Sequence, residues 1–357
     1  MNVLAIETSC DETGIALLEA GGGLRAPKFY VTTNLVSSQI KIHRPFGGVV
    51  PNLAKREHLK NLPLLWRKMV LQNTAHGSRK KFDDLEGSFM KRIGLVTVTV
   101  GPGLEPALWT GIEFAKALAA RYRKPLIGAN HLEGHLYSFL LPQGARPPEK
   151  ISFPAVALIA SGGHTVLLSM SSFSKWRRLG ETRDDAAGEA FDKVARLLDL
   201  PYPGGPEIQK IAGRGDTNAI PFPRPMIHEK NYDFSFSGLK TAVLYYLRDH
   251  KKPVPDERMA ADVAASFQQA AVDVLVAKTI RAAAAHDARS VILCGGVAAN
   301  KELRKELSHA AEKGGLTFLV PGAAYNFDNA AMIGAAGYLA HLRKKNYRIG
   351  ADGTLDI

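Results

Sequence analysis

"NVLAIETSCDETGIALL", Asn2 to Leu18, and "AVALIASGGHTVLLSM", Ala155 to Met170, read the same way. Each is an apolar run, a small polar or glycine-rich turn, and a second apolar run. The first sets Val3–Ile6 against Ile15–Leu18. The second sets Val156–Ala160 against Val166–Leu168 across Ser161-Gly162-Gly163-His164-Thr165. Short apolar runs bounded by turn residues predict strands. One such hairpin in each half of a 357-residue chain predicts a duplicated architecture, with the repeated turn facing a shared cleft.

The segments around the hairpins complete an α/β pattern with a parallel or mixed sheet in each half. "GLVTVTVGPG" is a strand ending in a glycine turn, and "EPALWTGIEFAKALAARYRKP" is a helix that stops at Pro125. Helices are expected around 186–198, 235–247 and 261–285, then a strand in "SVILCGG", a turn and helix in "VAANKELRKELSHAAEKG", and a strand in "TFLVP". "DNAAMIGAAGYLAHLRKK" reads as a terminal helix with a basic end. "LPQGARPPEK", residues 141–150, is the expected linker.

Composition narrows the function. Lys and Arg number 46 against 34 Asp and Glu, a formal charge of +12, which suits contact with a polyanion. From Lys41 to Arg92 there are twelve basic residues against four acidic ones; a lysine-rich solvated face explains such a run as well as a docking surface does. Two cysteines, both in strand-like contexts, provide no disulfide framework and fit a reducing compartment. The opening residues lack a signal-peptide or presequence pattern, and the longest apolar runs are too short to span a bilayer, so a cytoplasmic protein is expected.

"HLEGH", His131 to His135, raises a metal question. With Asn130 as N-cap, both histidines fall in the first turns of a helix and on one side of it. That pair is half of a metal site, or one ligand plus one capping histidine. The pattern lacks a Glu directly after the first His, so it is not the metalloprotease motif, and Glu133 faces away from the pair. Asp328 is the best local candidate for a third, oxygen ligand, although nothing local ties it to His131 and it and Asn329 are also candidates to cap the helix that follows. Glycine-rich turns at "ASGGHT", "YPGGPEI" and "CGGVAANKEL" suit a nucleotide cleft better than any single turn would, without matching a P-loop or a dinucleotide fingerprint. Asp184, Asp185, Glu189 and Asp192 could bind a sugar hydroxyl or a metal, or begin a helix, with Asp184 or Asp185 as its cap. The residues alone leave three readings: a metal-using nucleotide transferase or kinase, an RNA-modifying enzyme with a basic docking lobe, and a non-catalytic nucleotide-binding scaffold.

Ten motifs in order resemble the tRNA N6-adenosine threonylcarbamoyltransferase family, long labelled O-sialoglycoprotein endopeptidases, in its bacterial and organellar branch. They are "ETSCDETG" (7–14), "FGGVVPNLAKREH" (46–58), "GPGLEPALWTG" (101–111), "HLEGH" (131–135), "SGGHT" (161–165), "GETRDDAAGEAFDKVARLL" (180–198), "YPGGP" (202–206), "FPRP" with "DFSFSGLKTAV" (222–243), "CGGVAAN" (294–300) and "FDNAAMIG" (327–334). Phe327 departs from the family, which more often has a small hydroxyl residue there.

The resemblance implies an actin/Hsp70/sugar-kinase-like (ASKHA) α/β fold, with two duplicated βαβ-type lobes around a nucleotide cleft. Residues 1–140, completed by the helix at 335–350, would form a basic, tRNA-facing lobe, and 150–334 the donor-binding lobe. It implies one divalent ion, Fe²⁺ or Zn²⁺, on His131, His135 and Asp328. Substrate contacts would fall on Ile159, Ala160, Ser161, Gly162, Gly163, His164, Asp192, Gly205 and Asn300, with Asp11 and Glu12 as candidate catalytic residues. The implied reaction moves a threonylcarbamoyl group from threonylcarbamoyladenylate to N6 of adenosine 37 in tRNAs reading ANN codons, forming t6A and releasing AMP. Implied partners are the tRNA anticodon arm and, as in the bacterial system, a shorter paralogous subunit and a small ATPase (TsaB-like and TsaE-like), with a homodimer as the other arrangement. The alternative is a kinase, ATPase or scaffold of the same fold.

Overall fold

The computed structural model describes residues 1–74, 81–142, 150–250 and 256–357. Most of the expected linker, 143–149, lies outside the described residues, as do 75–80 of the basic run. The chain divides into two compact units, Met1–Pro148 with Phe327–Ile357, and Glu149–Asn326. The division falls before Phe327 and not at the expected 334. The helix that begins just beyond Phe327 lies on the first unit's sheet, and it takes the preceding loop with it.

In the first unit, strands β1 (Asn2–Glu7) and β2 (Glu12–Gly21) form the expected hairpin, in register from Asn2↔Glu19 to Glu7↔Gly14. Strand β3 (Lys28–Ser38) adds antiparallel to β2. Helices α1 (Ile40–His43), α2 (Pro51–Gln72) and α3 (Phe82–Lys91) precede β4 (Ile93–Gly101), which lies parallel to β1. Helix α4 (Glu105–Tyr122) leads to β5 (Leu126–Asn130), parallel to β4, and α5 (His131–Tyr137) follows directly. The order is β3-β2-β1-β4-β5. Alternation along β1 sends Leu4 and Ile6 into a core with Trp66, Phe89, Val98 and Ile112.

Helix α2 is the largest element the sequence pattern hides. The basic run is a solvated face, but of a helix that also buries Ala54, His58, Leu62, Trp66, Met69 and Val70 at helical spacing. Strand β3 escapes notice for a related reason: its burial alternates, but apolar Tyr30 and Val36 lie on the exposed side while Thr33 and Ser37 lie on the covered one, so the sequence shows little period-two alternation.

The second unit contains β6 (Ala155–Ala160), β7 (Thr165–Ser172), β8 (Lys175–Glu181), α6 (Ala187–Leu197), α7 (Gly204–Ala212), α8 (Ser237–Asp249), α9 (Glu257–Ala285), β9 (Ser290–Cys294), α10 (Lys301–Lys313) and β10 (Thr317–Leu319). Helix α9 starts before the expected 261 because Asp256 caps it, accepting from Met259 N at 2.9 Å. The order β10-β9-β6-β7-β8 repeats that of the first unit: an antiparallel β6–β7–β8 meander, with β9 and β10 parallel on the other side of β6.

Helix α11 (Ala330–Arg343) returns to the first unit and packs on β1, β2, β4 and β5. A Cβ on Gly337 would lie 2.3 Å from Thr97 Cγ2 and 2.6 Å from Thr97 Cβ. Gly337→Ala gains about 1 kcal/mol of helix propensity, but overpacking against a β-branched side chain costs about 1–3 kcal/mol. With a clash this deep the cost wins, and a lowered urea midpoint in equilibrium unfolding is the expected result.

Candidate metal centre

Three side chains converge because two asparagines act as helix caps. Asn130 Oδ1 accepts from the backbone N–H groups of Leu132 (2.8 Å) and Glu133 (3.2 Å), starting α5 at the first histidine. The rings of His131 and His135 then meet edge to face, 4.7 Å apart. At α11 the cap is Asn329, whose Oδ1 accepts from Met332 N at 3.1 Å. Asp328 is thereby left outside the helix, and its Oδ1 lies 3.4 Å from His131 Nε2 and 3.2 Å from His135 Nε2. One ligand atom from each residue lies within 4.8 Å of the others, the one such group of three among the described residues.

The triad fits a divalent cation. His135 is fully buried, and neither of its ring nitrogens has a hydrogen-bond partner among the described residues, although Nε2 is close to Asp328. That approach has the distance of an ion pair without hydrogen-bond geometry. An unsatisfied buried nitrogen costs roughly 1–3 kcal/mol, and coordination would remove the cost. Two imidazoles and a carboxylate form a donor set suited to Zn²⁺ or Fe²⁺ and leave coordination positions open.

Glu7 completes the arrangement from behind. It is fully buried at the end of β1 and accepts from Ser9 N (2.5 Å) and Thr99 Oγ1 (2.5 Å). Its Oε2 lies 3.3 Å from His131 Nδ1, and Ser9 Oγ lies 3.1 Å from the same nitrogen. A carboxylate on Nδ1 holds a proton there and turns Nε2 toward Asp328. Burial works against ionising Asp328, yet the two histidines hold its carboxyl far below the usual carboxylate range. Burial likewise opposes a proton on His131, but Asp328 and Glu7 raise its pKa well above the ordinary value.

Asp11 and Glu12 lie outside the ligand set. The Asp11 backbone carbonyl accepts from Gln39 N at 2.9 Å, and Glu12 accepts from Ser38 Oγ at 3.1 Å. Burial, then the charges of Asp11 and Asp328, push the Glu12 carboxyl well up. The turn is braced by buried His58, 3.0 Å from the Cys10 carbonyl and 2.8 Å from Thr13 Oγ1.

In the second unit, the turn after β6 leaves Gly162 and Gly163 exposed, while Ile159 and Ala160 are buried. Ser161 and His164 close the turn, with Ser161 N donating to His164 O at 2.8 Å. Helix α6 begins against it: a Cβ on Gly188 would sit 2.6 Å from Ser161 O. The pairing of β6 with β9 brings the turn after β9 alongside, where Gly295 faces Ala160 O. Asp192 accepts from Gly204 N at 2.6 Å, beside Gly205. Asn300 caps α10 through Leu303 N (3.0 Å) and donates to Gln268 (2.7 Å).

The acidic run resolves differently from expectation. Neither Asp184 nor Asp185 caps α6. Asp184 accepts from Phe236 N (2.8 Å) and Ser237 N (3.2 Å) at the start of α8, and Asp185 pairs with Lys193 and Lys240, both at 2.7 Å. The lysines decide the position of Asp185, whereas Glu189 accepts from Ala186 N at the first turn of α6.

A family model described as "TsaD: tRNA N6-adenosine threonylcarbamoyltransferase" matches residues 30–335. The chain belongs to that family. It is 49% identical to the tRNA N6-adenosine threonylcarbamoyltransferase of Moorella thermoacetica, over 96% of this chain and 93% of that protein. Identity to the Thermosipho africanus protein of the same name is 46%, over 100% and 98%. Among solved structures, full-length HypF in its phosphate- and nucleotide-bound form superposes with a TM-score of 0.56 at 11% identity, covering 98% of this chain and 56% of that one. That likeness concerns the fold alone.

For this TsaD family member, the residue the sequence reading passed over is Glu7. Its signal is a lone carboxylate ending an otherwise apolar strand, a placement that needs a buried partner. Glu7→Gln keeps the shape but weakens the grip on His131 Nδ1. Metal affinity should fall about 10- to 100-fold, measured by chelator competition. In the second unit, burial favours the neutral form of Asp185, but the hydrogen bonds and charges of Lys193 and Lys240 outweigh it and lower the pKa. A depressed folded pKa gives stability that is present above the unfolded value and lost as pH falls toward the folded one. Asp185→Asn should therefore cost up to about 1 kcal/mol at neutral pH, and the difference from the parent should shrink below about pH 4 in unfolding curves.

Proposed function

We propose that this chain transfers the threonylcarbamoyl group of threonylcarbamoyladenylate to N6 of adenosine 37 in tRNAs reading ANN codons, forming t6A and releasing AMP. The observation that carries the reading is the buried His131–His135–Asp328 triad in a chain whose relatives, matched over nearly their full length, are named for this transfer. The chain is a metal-dependent member of a tRNA-modifying acyltransferase family. Zn²⁺ or Fe²⁺ held by the triad would supply Lewis-acid stabilisation of charge developing on the donor's oxygens.

The bonds that change are few. The N6 amine attacks the carbamoyl carbon, the bond from that carbon to the phosphate oxygen breaks, and AMP leaves with its electron pair. Asp11, on the turn after β1, and Glu12, at the start of β2 and within electrostatic reach of Asp328, are the proposed acceptors of the N6 proton. The open turn at Ser161–His164, beside the start of α6, is the proposed phosphate cradle, since glycine amides and a helix N-terminus both favour anions. Ile159 and Ala160 support that turn from β6, and Asp192, Gly205 and Asn300 are proposed contacts on the nucleoside side.

The recurring strand order and the likeness to HypF support an actin/Hsp70/sugar-kinase-like fold with duplicated lobes. On the first unit, Lys41, Arg44, Lys55, Arg56, Lys60, Arg67 and Lys68 are exposed, and we assign them to phosphates of the anticodon arm. Exposed Leu59, Leu64 and Trp109 on α2 and α4 support a protein partner there, a shorter paralogous subunit or a second copy of the chain. A small ATPase completes the proposed bacterial system. Cytoplasmic location is part of this reading: both cysteines are free, and no helix among the described residues is long and apolar enough to cross a membrane. A nucleotide-dependent kinase or ATPase is the second reading, favoured by the nucleotide-bound HypF likeness.

Incubation with tRNA, threonine, bicarbonate, ATP, the donor-forming synthase and bacterial partner proteins, followed by nucleoside mass spectrometry, tests the reading. The modified nucleoside should form with the parent chain and be lost in His135→Ala and Asp328→Ala. ATP turnover without modified tRNA would favour the kinase or ATPase reading instead. tRNA affinity should fall steeply with salt, and each replaced phosphate-contacting lysine should lower the slope of log affinity on log salt by about 1.

A further inference from the structure

Glu133 lies two residues from each histidine, so helical geometry turns it away from them. It is fully buried, which for a carboxylate demands compensation. Three donors supply it, all from the last turn of α11 and the chain just beyond. Arg343 Nη2 donates to Oε2, and Oε1 accepts from Tyr347 Oη at 2.5 Å and Lys345 Nζ at 3.2 Å.

The same C-terminal segment laces itself along this end of the unit. Asp352 N donates to Val100 O at 2.9 Å and Gly103 N to Gly353 O at 3.3 Å. Asn130 Nδ2, on the side chain that caps α5, donates to Asp356 O at 2.9 Å. Along its flank α5 lies close on α11, where a Cβ on Gly134 would sit 3.0 Å from Ile333 Cδ1 and 3.1 Å from Met332 Cγ.

Both ends of α11 thus bear on the metal site. Asp328 stands two residues before the first residue of α11, next to the cap Asn329, and Arg343 is its last. Because Arg343, Lys345 and Tyr347 hold α5 by Glu133, the separation between the α5 histidines and Asp328 is set from the far end of α11. We propose that Glu133 is a positioning residue for the metal centre, through which the segment 343–347 holds His131 and His135 at coordinating separation from Asp328. The inference rests on the metal site in the proposed function, but it concerns how that site is held rather than what it does.

The rival explanation is an ordinary buried ion pair that only stabilises the fold. The first unit contains a matched control. Glu86 is also buried and carries comparable donors, Trp66 Nε1 at 2.6 Å, Tyr122 Oη at 2.7 Å and Arg121 at 3.2 Å, none of them from the metal-bearing elements. The full chain, stripped with a chelator, is titrated with Zn²⁺ against a chromophoric competitor, and thermal unfolding of the stripped protein is recorded alongside. Glu133→Gln should weaken Zn²⁺ binding about 10- to 100-fold and Tyr347→Phe roughly threefold to tenfold. Glu86→Gln should destabilise the stripped protein while leaving Zn²⁺ affinity within about twofold, less than the loss of a single hydrogen bond. Should Glu133→Gln fail to fold, Tyr347→Phe against Glu86→Gln decides. Parent-like affinity in Tyr347→Phe and in any folded Glu133→Gln, or an equal loss in Glu86→Gln, overturns the inference and leaves the metal site standing. Absence of Zn²⁺ and Fe²⁺ binding by the parent chain overturns the metal reading itself.

Discussion

Helix α11 can lie flat on the first sheet because its contact face carries almost no side chains. Gly334 faces Leu18 and Ala5, Gly337 faces Thr97, and Ala330, Ala331, Ala335 and Ala336 fill the space between with no exposure. Close packing of this kind leaves no room for a methyl group to be added or for the helix to slide. The loop before α11 is therefore brought to a defined place beside α5, and the metal centre follows from that placement. Without the close approach, Asp328 would be a loop carboxylate far in the sequence from the histidine pair.

The second constraint is charge burial. Glu7, Glu133, His131 and His135 are all removed from water, and each carboxylate must find donors to offset its desolvation. Glu7 finds them on β4 and on the turn after β1, and Glu133 finds them on α11 and the chain beyond it. The two carboxylates thus stand on different supports, one behind a ligand nitrogen and one behind the helix that carries both ligands. His135 is the exception, a buried ring with unsatisfied nitrogens, and the exception marks the place where a cation belongs.

Much of the fold was legible because local chemistry and tertiary structure agree. Both hairpins announce themselves by turn residues between apolar runs, Asn130 by its position before the histidines, and α9 by its alanine content. Legibility failed where a residue's environment comes from elsewhere in the chain. Helix α2 reads as a charge run because its buried positions include Ala54 and His58, which carry little hydrophobic signal. Asp184 and Asp185 look like helix-start residues for α6, yet Lys240 and the start of α8 claim them from beyond position 230. Asp328 and Asn329 are equivalent as sequence; only the hydrogen bond to Met332 N assigns the cap to one and frees the other.

By itself, the sequence determined both hairpins, most of the later helices and the pairing of two histidines on one helix, since these depend on residues within a few turns of one another. The ordered motifs also identified the family. Tertiary structure decided which carboxylate joins the histidines, which one stands behind His131, and what occupies Glu133. Those outcomes depend on contacts between segments more than a hundred residues apart, from Glu7 to His131 and from Glu133 to Arg343. No local pattern records such a contact, because it is set by the packing of α11 and β4 rather than by the residues that meet.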